Sequence, residues 1–315
     1  MRYVVGYSAN ARGGDAVNLA VALARRQGAT LDLVMVMPQD SPYNGVYPPE
    51  AGFGTILAQQ VSEWLDGGLA LVPDDVQAQA HIRRGESEAE ALIAAAEELG
   101  AVLLVIGASS TGLFKRFSIG SVAGALLHAS TVPVVLAPSG YSRTKPVTRL
   151  TCALGTRAGA EDVLQTGIAM ARRRELPLRL VSLVALGPGE SDAGIEDAEA
   201  HLHAVAEAAQ GVQADDLDKL DIDVVVGHGR TIEDAVDALD WKKGEILLIG
   251  SSRLAQNKSI FLGATANRIL RALPVPMIVV PRNYVPLSED LFHTTTLPIV
   301  QAATPEMTGP IEART

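Results

Sequence analysis

One cysteine in 315 residues, Cys152, leaves no partner for an intramolecular disulfide. It lies in the apolar run 150–154, which predicts a buried strand, and is expected to serve as a small core hydrophobe. Aromatic residues make up only 4% of the chain, so a core has to be built from Ala, Val and Leu. No apolar run approaches the roughly 18 residues of a membrane span, which excludes a membrane partner of that kind. Basic residues are outnumbered 26 to 36, the formal charge is −10, and Lys and Arg are scattered; nucleic acid is not an expected partner. No charged leader or apolar signal core precedes the first strand pattern, so a cytoplasmic location is expected.

Chemistry-bearing clusters are also missing. His201 and His203 are two apart on a predicted helix and face different sides, a poor metal pair. His81, His128, His228 and His293 are isolated, and no Ser, His and acid set has nucleophile-elbow spacing. Glu86, Glu88 and Glu90 open a helix, where acids favour the dipole. No catalytic residue, no metal ligand and no enzyme activity are expected.

What is present is a repeat. Leu103–Gly107 leads through a polar loop to Gly120 and Ser121 and closes on Val132–Pro138; Ile246–Gly250 leads to Gly263 and Ala264 and closes on Val275–Pro281. The separations 250−107, 263−120, 275−132 and 281−138 are all 143. A constant offset across strand, loop, helix and strand marks a duplicated domain. The first strand and helix align at 146, Val17 with Val163. Each copy reads β-α-β-α-β-α-β-α-β with crossovers long enough for parallel pairing. The fold class expected is therefore α/β, two doubly wound five-stranded parallel sheets with helices on both faces. The domains run 1–138 and 149–283, with 139–148 as linker and 284–315 as a C-terminal extension whose Leu287, Leu291, Phe292, Leu297 and Ile299 favour docking.

In an open parallel sheet, ligands sit beyond the strands' C-terminal ends. Gly107 allows a sharp turn there, Gly120 lets main-chain N–H groups approach a ligand, and Ser121 adds a hydroxyl at a helix start, where the dipole favours a phosphate. Lys115 and Arg116 lie in the same loop. Other phosphate motifs fail: Gly107 and Gly112 have P-loop spacing, but Leu113 and Phe114 follow, and Gly227-His228-Gly229 lacks its third glycine at Ile232. Tyr43, Tyr47 and Phe53, in a proline-rich loop at another strand end, suit either stacking on a purine or packing over the crevice.

These residues resemble the universal stress protein family in its tandem form, over residues 2–138 and 149–281. The resemblance implies an adenine nucleotide alpha hydrolase-like fold and a pseudo-twofold pair joined through the fifth strands, Pro133–Leu136 against Pro276–Val279. ATP-binding members carry Gly, two residues, Gly, nine residues, then Gly and Ser or Thr. Here the first copy has Gly107, Ser110 for the second glycine, Gly120 and Ser121; the second has Gly250, Arg253, Gly263 and Ala264, with Thr265 next. Such members also place an aspartate after the first strand, where this chain has Ser8 and, in the second copy, Leu154. Arg253 either pairs with a phosphate or plugs the empty seat.

The reading is a non-enzymatic stress-response protein with degenerate nucleotide-binding loops. Its candidate cofactor-binding residues are Ser8, Gly107, Ser110, Gly120, Ser121, Gly250, Arg253, Gly263 and Thr265, with ATP the only cofactor implied. One alternative is an ATP-binding switch or slow ATPase using the first copy; another is an accessory regulator of a transporter or kinase docking through the extension. Self-association is expected within the chain, with a homodimer and a protein partner of unknown identity left open.

Overall fold

The computed structural model describes residues 1–25, 27–39, 56–108, 120–155, 159–187, 192–211, 220–251 and 260–285. The C-terminal extension beyond 285 lies outside the described residues. Unit one contains β1 (Arg2–Gly6), α1 (Ala11–Ala24), β2 (Thr30–Met37), α2 (Ile56–Leu69), β3 (Ala78–Arg84), α3 (Glu88–Glu98), β4 (Leu103–Gly107), α4 (Ser121–Ala129) and β5 (Val134–Ala137). Unit two repeats it with β6 (Arg149–Ala153), α5 (Ala160–Arg174), β7 (Leu178–Ala185), α6 (Ala193–Gly211), β8 (Ile222–Gly229), α7 (Ile232–Asp237), β9 (Glu245–Gly250), α8 (Ala264–Ala272) and β10 (Met277–Val280).

The two five-stranded sheets join into one ten-stranded sheet in the order β3-β2-β1-β4-β5-β10-β9-β6-β7-β8. Every pairing is parallel except the central one, where β5 and β10 run antiparallel with Val135 opposite Ile278. The fifth strands thus meet as the family resemblance implied, and their apolar edges are buried against each other. Helices α1, α2, α5 and α6 cover one face and α3, α4, α7 and α8 the other, so each face carries a core layer drawn from both units. Cys152 is fully buried in the first layer, and burial pushes its thiol up and out of reach of redox chemistry.

Strand register corrects the alignment of the copies. Tyr3 pairs with Leu103 and Leu150 with Ile246, so β1 answers to β6 at 150−3 = 147 rather than 146. Helix α1 starts at Ala11, where Asn10 caps it by accepting from the N–H groups of Arg12 and Gly13. Glycine at 13 is forced: a Cβ there would lie 1.9 Å from the Ser8 carbonyl oxygen.

The expected linker opens with a device that both units possess. Asp15 Oδ2 accepts from Gly140 N at 2.9 Å, and Asp162 Oδ2 accepts from Asn283 N at 3.0 Å. Gly140 and Asn283 are 143 apart and both left-handed, with φ +75° and +53°. Tyr141 and Tyr284 follow them, partly buried, each phenol pushed up to about 12 by burial. Each unit therefore continues past its last strand into a turn clipped to its own first helix. Removing the buried acceptor by Asp15→Ala is expected to cost about 2 kcal/mol, the range for a hydrogen bond to a charged group. Asp162→Ala, at a more exposed site, is expected to cost about 1 kcal/mol. Urea midpoints of the two variants check the order.

Candidate functional site

The C-terminal ends of β1 and β4 and the N-termini of α1 and α4 form the crevice of unit one. Gly107 ends β4 against α1, and a Cβ on it would lie 2.1 Å from the Arg12 carbonyl oxygen. Its glycine is thus demanded by helix packing before any ligand is considered. Gly250 holds the same post in unit two, where a Cβ would lie 2.9 Å from the Gly159 carbonyl oxygen.

The two helix starts after the loops have matching backbones. Gly120 caps α4 with φ −71° and ψ 170°, Gly263 caps α8 with φ −74° and ψ 170°, and neither glycine has a side chain to cap its helix. Among the described residues the first N–H groups of both helices receive no side-chain cap, the arrangement that favours an anion. Ser121 and Thr265 are exposed in the first turns. By contrast, the start of α1 is filled by the Asn10 side chain.

Ser8 is partly buried at the mouth of β1, its carbonyl accepting from Asn10 N at 2.7 Å. Leu154 is not its counterpart. The N–H of Tyr7 reaches Val34 O and the N–H of Leu154 reaches Val181 O, so Leu154 answers to Tyr7 and Gly155 to Ser8. Neither copy places a carboxylate at that post. Two residues set aside or passed over in the sequence do come together at the helix starts of unit one. Glu88, in the first turn of α3, is held above the usual carboxylate range by burial, with the Arg12 guanidinium drawing it back. Their proximity joins residues 76 apart, which local spacing does not reveal.

In unit two the residues leading into α8 are described from 260 onward. Ser251 is buried and its Oγ accepts from Phe261 N at 2.7 Å, pinning the far end of the loop to the end of β9. Ile260 N donates to Ser130 O at 3.2 Å, and the Phe261 ring meets the His128 ring edge-on with centroids 4.9 Å apart. The approach to α8 is therefore fastened to the C-terminal end of α4 in the other unit. Arg268 of α8 is engaged in a bidentate pair with Glu233, whose carboxyl it holds low. Ser110, Lys115, Arg116, Arg253, Tyr43, Tyr47 and Phe53 lie outside the described residues. Among the described residues no group of His, Cys, Asp and Glu is arranged to hold a metal ion, and no helix is long and apolar enough to cross a membrane.

A family model, the universal stress protein family, matches residues 1–138 and 147–281. Universal stress proteins of Mycobacterium tuberculosis and Mycobacterium bovis are each 32% identical over 296 residues, covering 89% of this chain and the whole of the relative. Among solved structures, a universal stress protein from Archaeoglobus fulgidus superposes with TM-score 0.64 at 15% identity, covering 90% of this chain and 98% of that one. A protein of Pseudomonas aeruginosa described as functionally unknown superposes with TM-score 0.55 at 14% identity, over 90% of this chain and 92% of its own.

Proposed function

The chain belongs to the universal stress protein family, with two family domains in tandem, and on that footing we propose that it is a non-enzymatic regulatory pair with unequal crevices. Unit one seats the phosphates of a nucleotide such as ATP; unit two serves as a brace. The observation that carries this reading is the contrast between the two helix starts. At α4, Gly120 brings no cap of its own and the exposed Ser121 sets a hydroxyl beside the first N–H groups. At α8, the same backbone geometry is followed by Ala264, and the hydroxyl is displaced to Thr265.

Ser8 at the strand end supplies a weaker partner for a sugar hydroxyl than a carboxylate would, and Gly155 supplies no side chain at all. Binding in unit one is accordingly weak, and the loops are degenerate toward tight triphosphate capture. Ser110 and Arg253 enter this reading as the residues standing where a glycine would let the backbone close on the phosphates. No general base is assigned, so the bound nucleotide acts as a signal rather than a substrate.

Calorimetry with ATP and magnesium on the full chain tests this. One weak site per chain is expected, weakened roughly ten- to a hundredfold by Ser121→Ala, the loss of one hydrogen bond to a charged group. Thr265→Ala is expected to leave the isotherm unchanged. Two equal sites, or no heat at high micromolar protein, would sink the asymmetric reading.

A further inference from the structure

The joined sheet ends in two edge strands, β3 and β8. An edge strand holds out a row of main-chain N–H and C=O groups, and such a row is a template for another strand. The ladder shows which groups these are. Leu178 N donates to Asp221 O at 2.8 Å, Leu186 N donates to Gly229 O at 2.9 Å, and Arg179 stands level with Asp223. Alternate residues of a strand bond to the same neighbour, so the odd-numbered residues of β8 face β7. Ile222, Val224, Val226 and His228 therefore turn their main-chain groups out of the sheet.

The two edges are furnished differently. On β3 the outward residues are Ala78, Ala80, Ile82 and Arg84, since Leu31 N bonds to Gln77 O and Gly85 N to Met37 O. The Ile82 carbonyl there is already taken by the Arg83 guanidinium at 3.2 Å, and the same guanidinium reaches Glu98. With Arg84 beside it, β3 carries the charge that keeps an edge unpaired. Strand β8 is longer and has no Lys, Arg or Pro; its Val224, Val225 and Val226 are consecutive and only partly buried. Among the described residues, no side chain bonds to its outward carbonyls.

Charge is also divided along this strand. Asp221 and Asp223 stand at its start, His228 and Arg230 at its end; all four are exposed and none forms an ion pair among the described residues. An antiparallel mate sets the acidic start of one strand against the basic end of the other. A parallel mate would set like against like.

We propose that β8 is an interface for a second copy of this chain, pairing antiparallel with the same strand about a twofold axis so that the sheet continues across two molecules. The register that uses all four outward residues puts Val224 opposite the partner's Val226 and Ile222 opposite the partner's His228. Val225 then meets its own copy on the axis, and Asp223 lies opposite the partner's Gly227. A register centred on Asp223 would bring two carboxylates face to face, which disfavours it. The chain already joins its own halves in this way, through the apolar strands β5 and β10 with Val135 opposite Ile278. No residue of the crevices takes part, so the pairing stands apart from nucleotide binding.

Sedimentation velocity of the full chain over a concentration series tests it, with a reversible dimer expected. Val226→Pro removes an outward N–H and no bond to β7, so it is expected to fold and to raise the dissociation constant by about tenfold or more. Ala78→Pro, the same change on the outward row of β3, is expected to leave the dimer as it is. Val225→Cys puts a thiol on the axis, in a pair without hydrogen bonds whose Cα atoms lie about 4.5 Å apart, within disulfide reach. Because Cys152 is fully buried, mild oxidation is expected to give a covalent dimer on a non-reducing gel from Val225→Cys and not from Val224→Cys. This pair of variants decides the matter alone if the proline variant misfolds. A chain that stays monomeric throughout the series, a dimer that a folded Val226→Pro variant retains unweakened, or a cross-link at 224 in preference to 225 would overturn the proposal.

Discussion

Glu245→Gln is expected to destabilise the protein by about 3–5 kcal/mol, the cost of leaving buried charge without its partner. Glu245 begins β9 and is fully buried. One carboxylate oxygen accepts from Arg149 Nη2 at 2.5 Å and from Lys242 N at 2.9 Å; the other accepts from Arg179 Nη2 at 2.5 Å and from the Thr151 hydroxyl. Arg179 is itself 2% exposed, stacked on Trp241 with its guanidinium 5.0 Å from the ring centroid, and burial lowers its affinity for its proton while Glu245 raises it. The amide would keep the shape and lose the charge, so the two guanidiniums that converge on it would repel with little access to water. Unit one solves the same problem differently. Its fully buried acid among the described residues is Asp32 on β2, paired with Arg2 and with His81 Nε2 at 2.7 Å. The side chains of Arg2 and His81 remain 34% and 20% exposed, so Asp32→Asn is expected to cost less than Glu245→Gln. Urea denaturation of both variants decides; a loss below about 1 kcal/mol for Glu245→Gln would mean the network is already relaxed by water.

The duplicated parallel fold was legible because its signal is redundant: apolar strands, loop lengths and closing prolines all recur at one offset. The register of the first strand was not, since the runs 3–7 and 150–154 share no identical residue at either offset, and only ladder hydrogen bonds fix it. That single slip made Leu154 the partner of Ser8. The clip after the fifth strand was hidden by chemistry: Gly140 and Asn283 look unlike, although both supply the left-handed turn, and Tyr141 and Tyr284 already stood 143 apart. Buried ion pairs escaped because their members are distant, 96 residues for Glu245 and Arg149 and 49 for Asp32 and His81, so a histidine read as isolated faces a buried carboxylate. In the candidate site, the glycines at 107, 120, 250 and 263 were found by spacing. What spacing does not separate is a glycine required by packing from one available to a ligand.

Gly107→Ala makes that separation, and is expected to cost about 3 kcal/mol, the upper part of the range for overpacking. The obstruction is main chain: the Arg12 carbonyl oxygen lies 2.1 Å from the added Cβ position, its carbon 2.8 Å and the Arg12 Cα 3.0 Å. Relief needs the first turn of α1 to lift from the sheet. That turn is itself pressed onto Ser8 through Gly13 and tied to Gly140 through Asp15, so it cannot lift locally. Gly250→Ala meets Gly159 O at 2.9 Å and the end of the Val163 side chain at 3.0 Å, a gentler collision in which one neighbour rotates, and about 1–2 kcal/mol is expected. Gly120 has no such constraint from its backbone, since φ −71° is open to any residue. Gly120→Ala is therefore expected to cost under about 1 kcal/mol, the usual N-cap difference, while weakening nucleotide binding by crowding the approach to the N–H groups of α4. Urea midpoints and ATP calorimetry on the three variants yield two separate rankings. Stability should fall most for Gly107→Ala, whereas affinity should fall for Gly120→Ala without a matching loss of stability. If Gly107→Ala unfolds within about 0.5 kcal/mol of the parent, the start of α1 yields to the sheet, and the glycine shared by both crevices answers to a ligand instead of to packing.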